Sequence, residues 1–348
     1  MTLNDMLKQS SEWLKGTGPS ADIVMSSRTR LARNIDKVPF SNWANKQQLE
    51  DILVRVAEAA LSVGFLKNSL FFRLKDISEV DRLFLVERHL MSPEHAKDVE
   101  FKGLIIDPKE IISIMINEED HLRIQVLQSG MNLRECWRII DEIDTALSKK
   151  LPYAYSAKWG YLTACPTNAG TGLRGSVMIH MPALVFAGQI GKILQAIAKL
   201  GLNIRGLYGE GTEATGNIFQ ISNQASMGMT EDEMVDNIER IVNQAISREE
   251  ATRKNIILKN REALVDRVSR AYGTLKSAHI ISSTETITLI SAIRLGVDLG
   301  IVKNLDRTMV NELFILTQPA HLQKLEGKML NSGERDVKRA DLIREKLK

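Results

Sequence analysis

Apolar positions recur at two spacings along this chain, and the change from one to the other marks its organisation. Between residues 47 and 61, Leu49, Ile52, Leu53, Val56 and Ala60 share one helical face. Residues 81–90 read the same way, and Leu133, Trp137, Ile140 and Leu147 form a stripe that predicts a helix over 133–147. Residues 111–117 and 121–127 are β-branched runs joined by the polar link Glu118-Glu119-Asp120, which predicts a β-hairpin. Strands are expected over 161–164 and 176–180, on either side of a loop from Cys165 to Arg174. Two more are expected over 203–208 and 217–222, around a glycine-rich loop. An apolar helix is expected over 182–200, and a short amphipathic helix over 1–20 that ends at Gly16-Thr17-Gly18-Pro19. Thr230 and Glu233 have capping-box spacing, so a long helix should start there and run to about residue 258.

Beyond residue 258 strand signals stop. Residues 261–278, 283–295 and 310–316 carry helical periodicity alone. The expected organisation is a short N-terminal helix (1–20), an α+β unit (21–256) and an all-helical C-terminal domain (257–348). Strands joined by hairpins and helices, without regular βαβ alternation, predict a mostly antiparallel sheet flanked by helices.

Composition narrows the class. The chain has 348 residues, 44% apolar and 26% charged, with a net charge of +3. These values fit a globular protein and give no footprint for nucleic acid. Cys136 and Cys165 have neither disulfide-framework nor zinc-ligand spacing, which fits a reducing, cytoplasmic setting. No apolar run approaches the ~20 residues of a membrane span, and the first fifteen residues lack a signal-peptide core.

Candidate chemistry concentrates in a few places. Arg28 and Arg30 are two apart, so on an extended segment they face the same way. Arg123 follows the hairpin tip, Arg174 ends the Cys165 loop, and Arg205 precedes the glycine-rich loop. Singly, each reads as a surface arginine. Together, five guanidiniums on strands and loops suit a polyphosphate, because each offers paired donors to phosphate oxygens. Cys165, beside arginines and loop amides, is a candidate thiolate. Glu118-Glu119-Asp120 alone reads as a solvated turn. Gly209-x-Gly211-x-x-Ala214 matches the dinucleotide fingerprint, but no helix is expected to start there. A phosphate-binding P-loop of the GxxxxGK[ST] type is absent, and the six histidines form no metal motif.

In order, Ser26-Ser27-Arg28-Thr29-Arg30, Asn117 to Arg123, Cys165 to Val177, and Arg205 to Asn223 resemble the phosphagen kinases, the ATP:guanidino phosphotransferases. The resemblance spans about residues 22–250. Only some twenty residues precede the first motif, where arginine and creatine kinases carry a helical domain, and a helical region follows the last. That arrangement resembles the bacterial protein-arginine kinases of the McsB type, and implies an open site that admits an arginine on a polypeptide. Arg335-Asp336-Val337-Lys338-Arg339-Ala340 fits the RDxxRA motif, which in that branch binds phosphoarginine allosterically.

The resemblance implies ATP contacts from Ser26, Ser27, Arg28, Thr29, Arg30, His89, Arg123, Arg174, Gly175, Ser176, Val177, Met178, Arg205, Gly206, Leu207, Tyr208, Gly209 and Glu210. Glu119 and Glu210 would hold the acceptor guanidinium and take its proton, with Cys165 beside it. Arg335, Asp336, Arg339 and Ala340 would bind phosphoarginine, with Arg335 and Arg339 aimed at one anion. Gly175 stands where relatives usually have Ala. Implied cofactors are ATP and Mg²⁺ held mainly by the nucleotide phosphates, with no protein metal site. Implied partners are protein substrates, the McsA adaptor, the CtsR repressor, ClpC and a second copy of the chain. Two other readings stay open at this point: a small-molecule guanidino kinase, and a non-catalytic phosphoarginine-binding regulator.

Overall fold

A computed structural model of the chain describes residues 2–206 and 215–348. The strands are β1 (Val24–Arg33), β2 (Leu70–Arg73), β3 (Gly103–Ile106), β4 (Ile112–Ile116), β5 (Leu122–Ser129), β6 (Tyr155–Ser156), β7 (Gly160–Tyr161), β8 (Leu173–His180), β9 (Leu202–Gly206) and β10 (Ile218–Asn223). Eight of them make one sheet in the order β2-β3-β4-β5-β1-β8-β10-β9, with every neighbouring pair antiparallel. β6 and β7 form a separate two-stranded hairpin. The helices are α1 (Leu3–Met6), α2 (Lys46–Leu61), α3 (Glu79–Glu87), α4 (Leu133–Ser148), α5 (Pro182–Phe186), α6 (Ile190–Lys199), α7 (Glu231–Lys259), α8 (Arg261–Ser277), α9 (Ser283–Asp298), α10 (Arg307–Leu316), α11 (Pro319–Glu326) and α12 (Ser332–Lys346).

The antiparallel layout and the hairpin β4–β5 agree with the sequence. Thr230 and Glu233 make the expected reciprocal cap at the start of α7. Other expectations change. The N-terminal segment is one helical turn plus a 3₁₀ turn, Glu12–Leu14, because Trp13 and Leu14 are pulled into a core rather than stacked on a helix face. The apolar run over 182–200 breaks into α5 and α6 at Gly188, which takes φ +67°. The segment before Cys165 contributes only β7 to pairing, outside the main sheet. β2 and β3, short and flanked by charge, gave no readable alternation.

Strand parity divides the sheet into two faces with different coverings. On one face Leu31, Ile124, Val126, Val177, Ile179 and Ile221 pack against Leu133, Ile140, Val235 and Ile238 of α4 and α7. The other face carries the arginines at one end. At its other end Met25, Leu127, Met178 and Ile218 share a buried cluster with Leu275, Ile290, Phe314 and Ile343 from α8, α9, α10 and α12. The C-terminal helices therefore roof part of the arginine-bearing face.

Candidate active site

Cross-strand register gathers the five arginines. Arg30 lies opposite Arg174 on β8 and Gln125 on β5, Arg28 opposite Ser176, and Arg123 opposite Ala32. Gln220 on β10 faces Met178 on one side and Arg205 on the other. Directly opposed residues share a face, so Arg28, Arg30, Arg123, Arg174 and Arg205 all rise from the same side of the sheet.

They line two adjoining cavities. The larger, about 630 Å³, is walled by Arg28, Arg30, Arg123, Arg205, Gly206, Gln125 and Gln220, with His89, Met91 and Gln318 across from them. The smaller, about 130 Å³, is lined by Glu118, Glu119, Asp120, Cys165, Thr167, Asn168 and Arg174. Arg30 and Arg123 belong to both linings, so these two side chains form the partition.

The partition is electrostatically incomplete. Burial, then the charges of Arg123 and Arg174, pull the Arg28 guanidinium down to about 10. Arg30 is pulled well below its ordinary value by burial and by Arg28, Arg123 and Arg174, while Arg174 is lowered by burial, Arg205 and Arg123. A guanidinium stays protonated at any working pH, so these shifts reflect charge buried away from water and, second, mutual repulsion, both of which a bound anion would offset. The Nε atoms of Arg30 and Arg174 are buried without a partner, as is Nε2 of His89. Burial, then Arg28, lowers His89 to about 3, so its ring is neutral. His89 takes φ +60° and stacks edge-on against Trp13 at 5.1 Å. The cleft thus offers unpaired donors and a neutral imidazole to an anionic ligand.

The three hairpin acids part company. Glu118 receives two hydrogen bonds from Arg123 Nη1, at 2.7 and 2.5 Å, and one from the Ser92 hydroxyl. Burial pushes its carboxyl up, but Arg123 and Ser92 outweigh that and hold it below the ordinary value. Asp120 is buried and structural: its Oδ1 accepts from Asn34 Nδ2 at 2.6 Å and from the Ala164 amide at 2.7 Å. Only Glu119 stays open, and Cys165 is brought beside it by the Asp120–Ala164 tie. Burial, then Asp120 and Glu118, raise the Glu119 carboxyl, partly offset by Arg123 and a hydrogen bond with the Cys165 thiol. Cys165 Sγ also meets Thr167 Oγ1 at 3.0 Å.

Two family models match the chain: the ATP:guanido phosphotransferase C-terminal catalytic domain over residues 51–252, and the protein-arginine kinase McsB C-terminal domain over 261–348. Curated relatives named protein-arginine kinase include that of Halothermothrix orenii, 50% identical across 100% of this chain and 99% of its own length. That of Symbiobacterium thermophilum is likewise 50% identical, over 100% and 99%. The chain belongs to the protein-arginine kinase family. Among solved structures, lombricine kinase shares the fold, with a TM-score of 0.59 at 23% identity over 72% of this chain and 75% of that one. The duplicated taurocyamine kinase of Schistosoma mansoni, solved with transition-state-analogue components, has a TM-score of 0.58 at 26% identity over 72% of this chain and 35% of that one.

In this kinase several expected ligand residues face elsewhere. Ser27, Thr29, Gly175 and Val177 have the opposite strand parity to the arginines and are turned toward the α4–α7 layer. Ser27 Oγ bonds the Gly130 carbonyl and the Asn132 amide, and Val177 sits in the main core. Gly175 is in a strand rather than a donor loop: its amide donates to Asn223 Oδ1 at 2.9 Å, and a Cβ there would meet Ile238 Cδ1 at 2.9 Å. Ser26, Ser176 and Met178 keep the arginine face beside Arg28 and His89. Leu207, Tyr208, Gly209 and Glu210, with the Gly209–Ala214 fingerprint, lie outside the described residues.

The RDxxRA segment falls on α12, but its arginines are not aimed at one open anion. Arg339 is buried, with Nε donating to the Thr317 carbonyl and Nη1 to the Ile281 carbonyl, both at 2.8 Å, and to Asp336 at 2.5 Å. Arg335 Nη1 donates to the Leu330 carbonyl, and Ala340 is buried. Arg339 thus clamps α12 to the loop between α8 and α9 and to the end of α10.

Arg33 was missed by sequence reading. It is buried, paired with Asp144 of α4 at 2.7 Å, and donates to the Thr171 carbonyl at 2.9 Å. The Tyr161 ring lies over its guanidinium at 3.6 Å. One side chain therefore ties β1, α4, the β6–β7 hairpin and the Cys165 loop together. Its neighbours are far off in sequence, so no local pattern announced it.

Proposed function

We propose that this protein transfers the γ-phosphoryl group of MgATP to the side chain of an arginine in a polypeptide. The observation that carries this is the partition: one pair of arginines, Arg30 and Arg123, borders both a cation-lined cleft and a pocket holding Glu119 and Cys165. The triphosphate would lie in the cleft against Arg28, Arg30, Arg123 and Arg205 and reach Arg174 at the pocket side, with the unpartnered Nε atoms of Arg30 and Arg174 free for its oxygens. Mg²⁺ would enter on the phosphates. Among the described residues no group of three or more candidate ligands gathers around a cation site, and no protein residue is assigned to it.

The acceptor guanidinium would enter the smaller pocket and meet the Glu119 carboxylate. A guanidinium nitrogen forms the P–N bond as the bond from the γ-phosphorus to the β,γ-bridging oxygen breaks and ADP leaves. The proton lost from nitrogen passes to Glu119. A raised carboxyl pKa suits that role, because a base nearer the working pH takes the proton more readily. Arg30 and Arg123 stand where charge shifts between leaving and attacking sides, so they stabilise the migrating group without rearranging. Glu210 belongs to the same reading as a second carboxylate for the guanidinium.

Labelled MgATP incubated with an arginine-rich protein, and separately with free arginine, tests this. The expected result is acid-labile label on protein that maps to arginine. Label on free arginine alone would assign a small-molecule guanidino kinase instead. Glu119→Gln should lower kcat on the order of 10²-fold or more. The adaptor, repressor, ClpC and homodimer implied by the resemblance are parts of the proposal that co-purification and sedimentation would test.

A further inference from the structure

Three large apolar side chains stand in solvent around one point of the acceptor loop. Tyr155 is 62% exposed, Trp159 50% and Met227 43%. Scattered exposed apolar residues are ordinary, but a cluster at a pocket rim marks a contact surface. These three converge on Gly170. The β6–β7 hairpin brings Tyr155 and Trp159, and its Tyr161 exchanges backbone hydrogen bonds with Gly170, at 2.8 and 3.3 Å. Met227 arrives from the other side, with its Cγ 2.7 Å from where a Gly170 Cβ would be.

The platform is fixed to the pocket. Ser226 Oγ donates to the Thr167 and Ala169 carbonyls, both at 2.8 Å, and the Thr171 amide donates to the Ser226 carbonyl at 3.0 Å. Tyr155 packs edge-on against Tyr161 at 5.3 Å, and Tyr161 rests on Arg33. The same loop supplies Cys165, Thr167 and Asn168 to the acceptor pocket. Hairpin, loop and residues 226–227 therefore form one braced unit, apolar outside and polar where it meets Glu119.

We propose that this patch docks the polypeptide on either side of the acceptor arginine, and that it favours arginines in extended segments with an apolar neighbour. The proposal rests on the reading of the pocket as the site of a protein arginine. An arginine that reaches Glu119 leaves its flanking residues on the loop's outer surface, where the patch is continuous with the pocket. Methionine and aromatic surfaces accept varied apolar side chains at little cost in geometry.

The test uses two single-arginine peptides of equal charge, one with leucine and phenylalanine beside the arginine and one with serine and glycine. Label transfer from MgATP is measured with the full chain and with Trp159→Ser and Met227→Ser. The unchanged protein should favour the apolar peptide in kcat/KM by about tenfold or more, the partition expected of one buried aliphatic side chain. Each variant should bring the ratio near one, through the peptide KM, with the KM for ATP unmoved. Equal use of both peptides by the unchanged protein would overturn the proposal, as would a preference that survives both variants. A variant that alters sedimentation and leaves the preference intact would assign the patch to a second copy of the chain. If the unchanged protein labels neither peptide nor any protein, the acceptor reading fails and takes the patch with it. Label on protein without a flank preference removes the patch alone.

Discussion

Replacing Arg30 should make the protein more stable and nearly inactive. Arg30 faces Arg174 across β1 and β8, and its Nε is buried without a partner. Arg28, Arg123 and Arg174 all repel it, against the opposing charge of Glu118. Arg30→Met keeps most of the aliphatic stem and removes the charge and the orphaned donor. An unsatisfied buried donor costs about 1–3 kcal/mol, and relief of repulsion acts in the same direction. Without nucleotide the variant should therefore gain roughly 1–3 kcal/mol, seen as a rise of a few degrees in Tm. Saturating MgATP should stabilise the unchanged protein by about 2.7 kcal/mol at a hundredfold excess over Kd, and the variant far less. Losing one preorganised donor to the migrating group should cost on the order of 10²–10³ in kcat/KM. Thermal melts with and without MgATP, beside label-transfer kinetics, measure all three. A variant less stable than the parent that keeps its MgATP shift would show that Arg30 is a structural cation and no phosphate ligand.

Three further outcomes follow from the geometry. The acidic limb of kcat/KM should lie above the ordinary glutamate value of 4.5, because burial and the neighbouring acids raise Glu119; activity falls as pH drops through that raised value, and Glu119→Gln should remove the limb along with most of the rate. Gly175→Ala should leave the KM for ATP unchanged and alter stability by less than about 1 kcal/mol, since Ile238 Cδ1 must give way slightly while the unfolded chain loses freedom; a large rise in the KM for ATP would return Gly175 to the nucleotide site. Arg339→Ala should cost about 3 kcal/mol or more by leaving the Thr317 and Ile281 carbonyls and Asp336 without their donor, and a chemical-denaturation curve that does not move would refute the clamp.

The fold was legible where one residue type dominated one face. Ile111 to Leu127 and the stripe of α4 declared themselves, and so did the Thr230–Glu233 cap. The arginine set was legible too, because Arg28 and Arg30 share parity and a strand makes parity a face. The same parity could have turned Ser27 and Thr29 away, but a motif read as a block of ligands ignores it. Which strands lie beside β1 is a matter of long-range register, and that register made Gly175 and Val177 core residues. The break at Gly188 was hidden because apolar periodicity continued through it. Arg339 read as an anion ligand beside Arg335 on helical spacing, whereas the loops after α8 and α10 supply the carbonyls that bury it. Arg33 was adjacent to a motif and still invisible, for its partners Asp144 and Thr171 are more than a hundred residues away.

The helices after residue 260 look appended in sequence, yet Phe314 and Ile290 share a buried cluster with Leu127 of β5 and Met178 of β8. Those strands also carry Arg123 and Arg174. A close-packed interior transmits a sub-ångström displacement instead of absorbing it. A ligand or partner that nudges α9 or α10 would thus be felt at the strands that bear the clustered arginines through side-chain repacking. In mechanical terms the C-terminal helices are a keyboard laid directly on the strings.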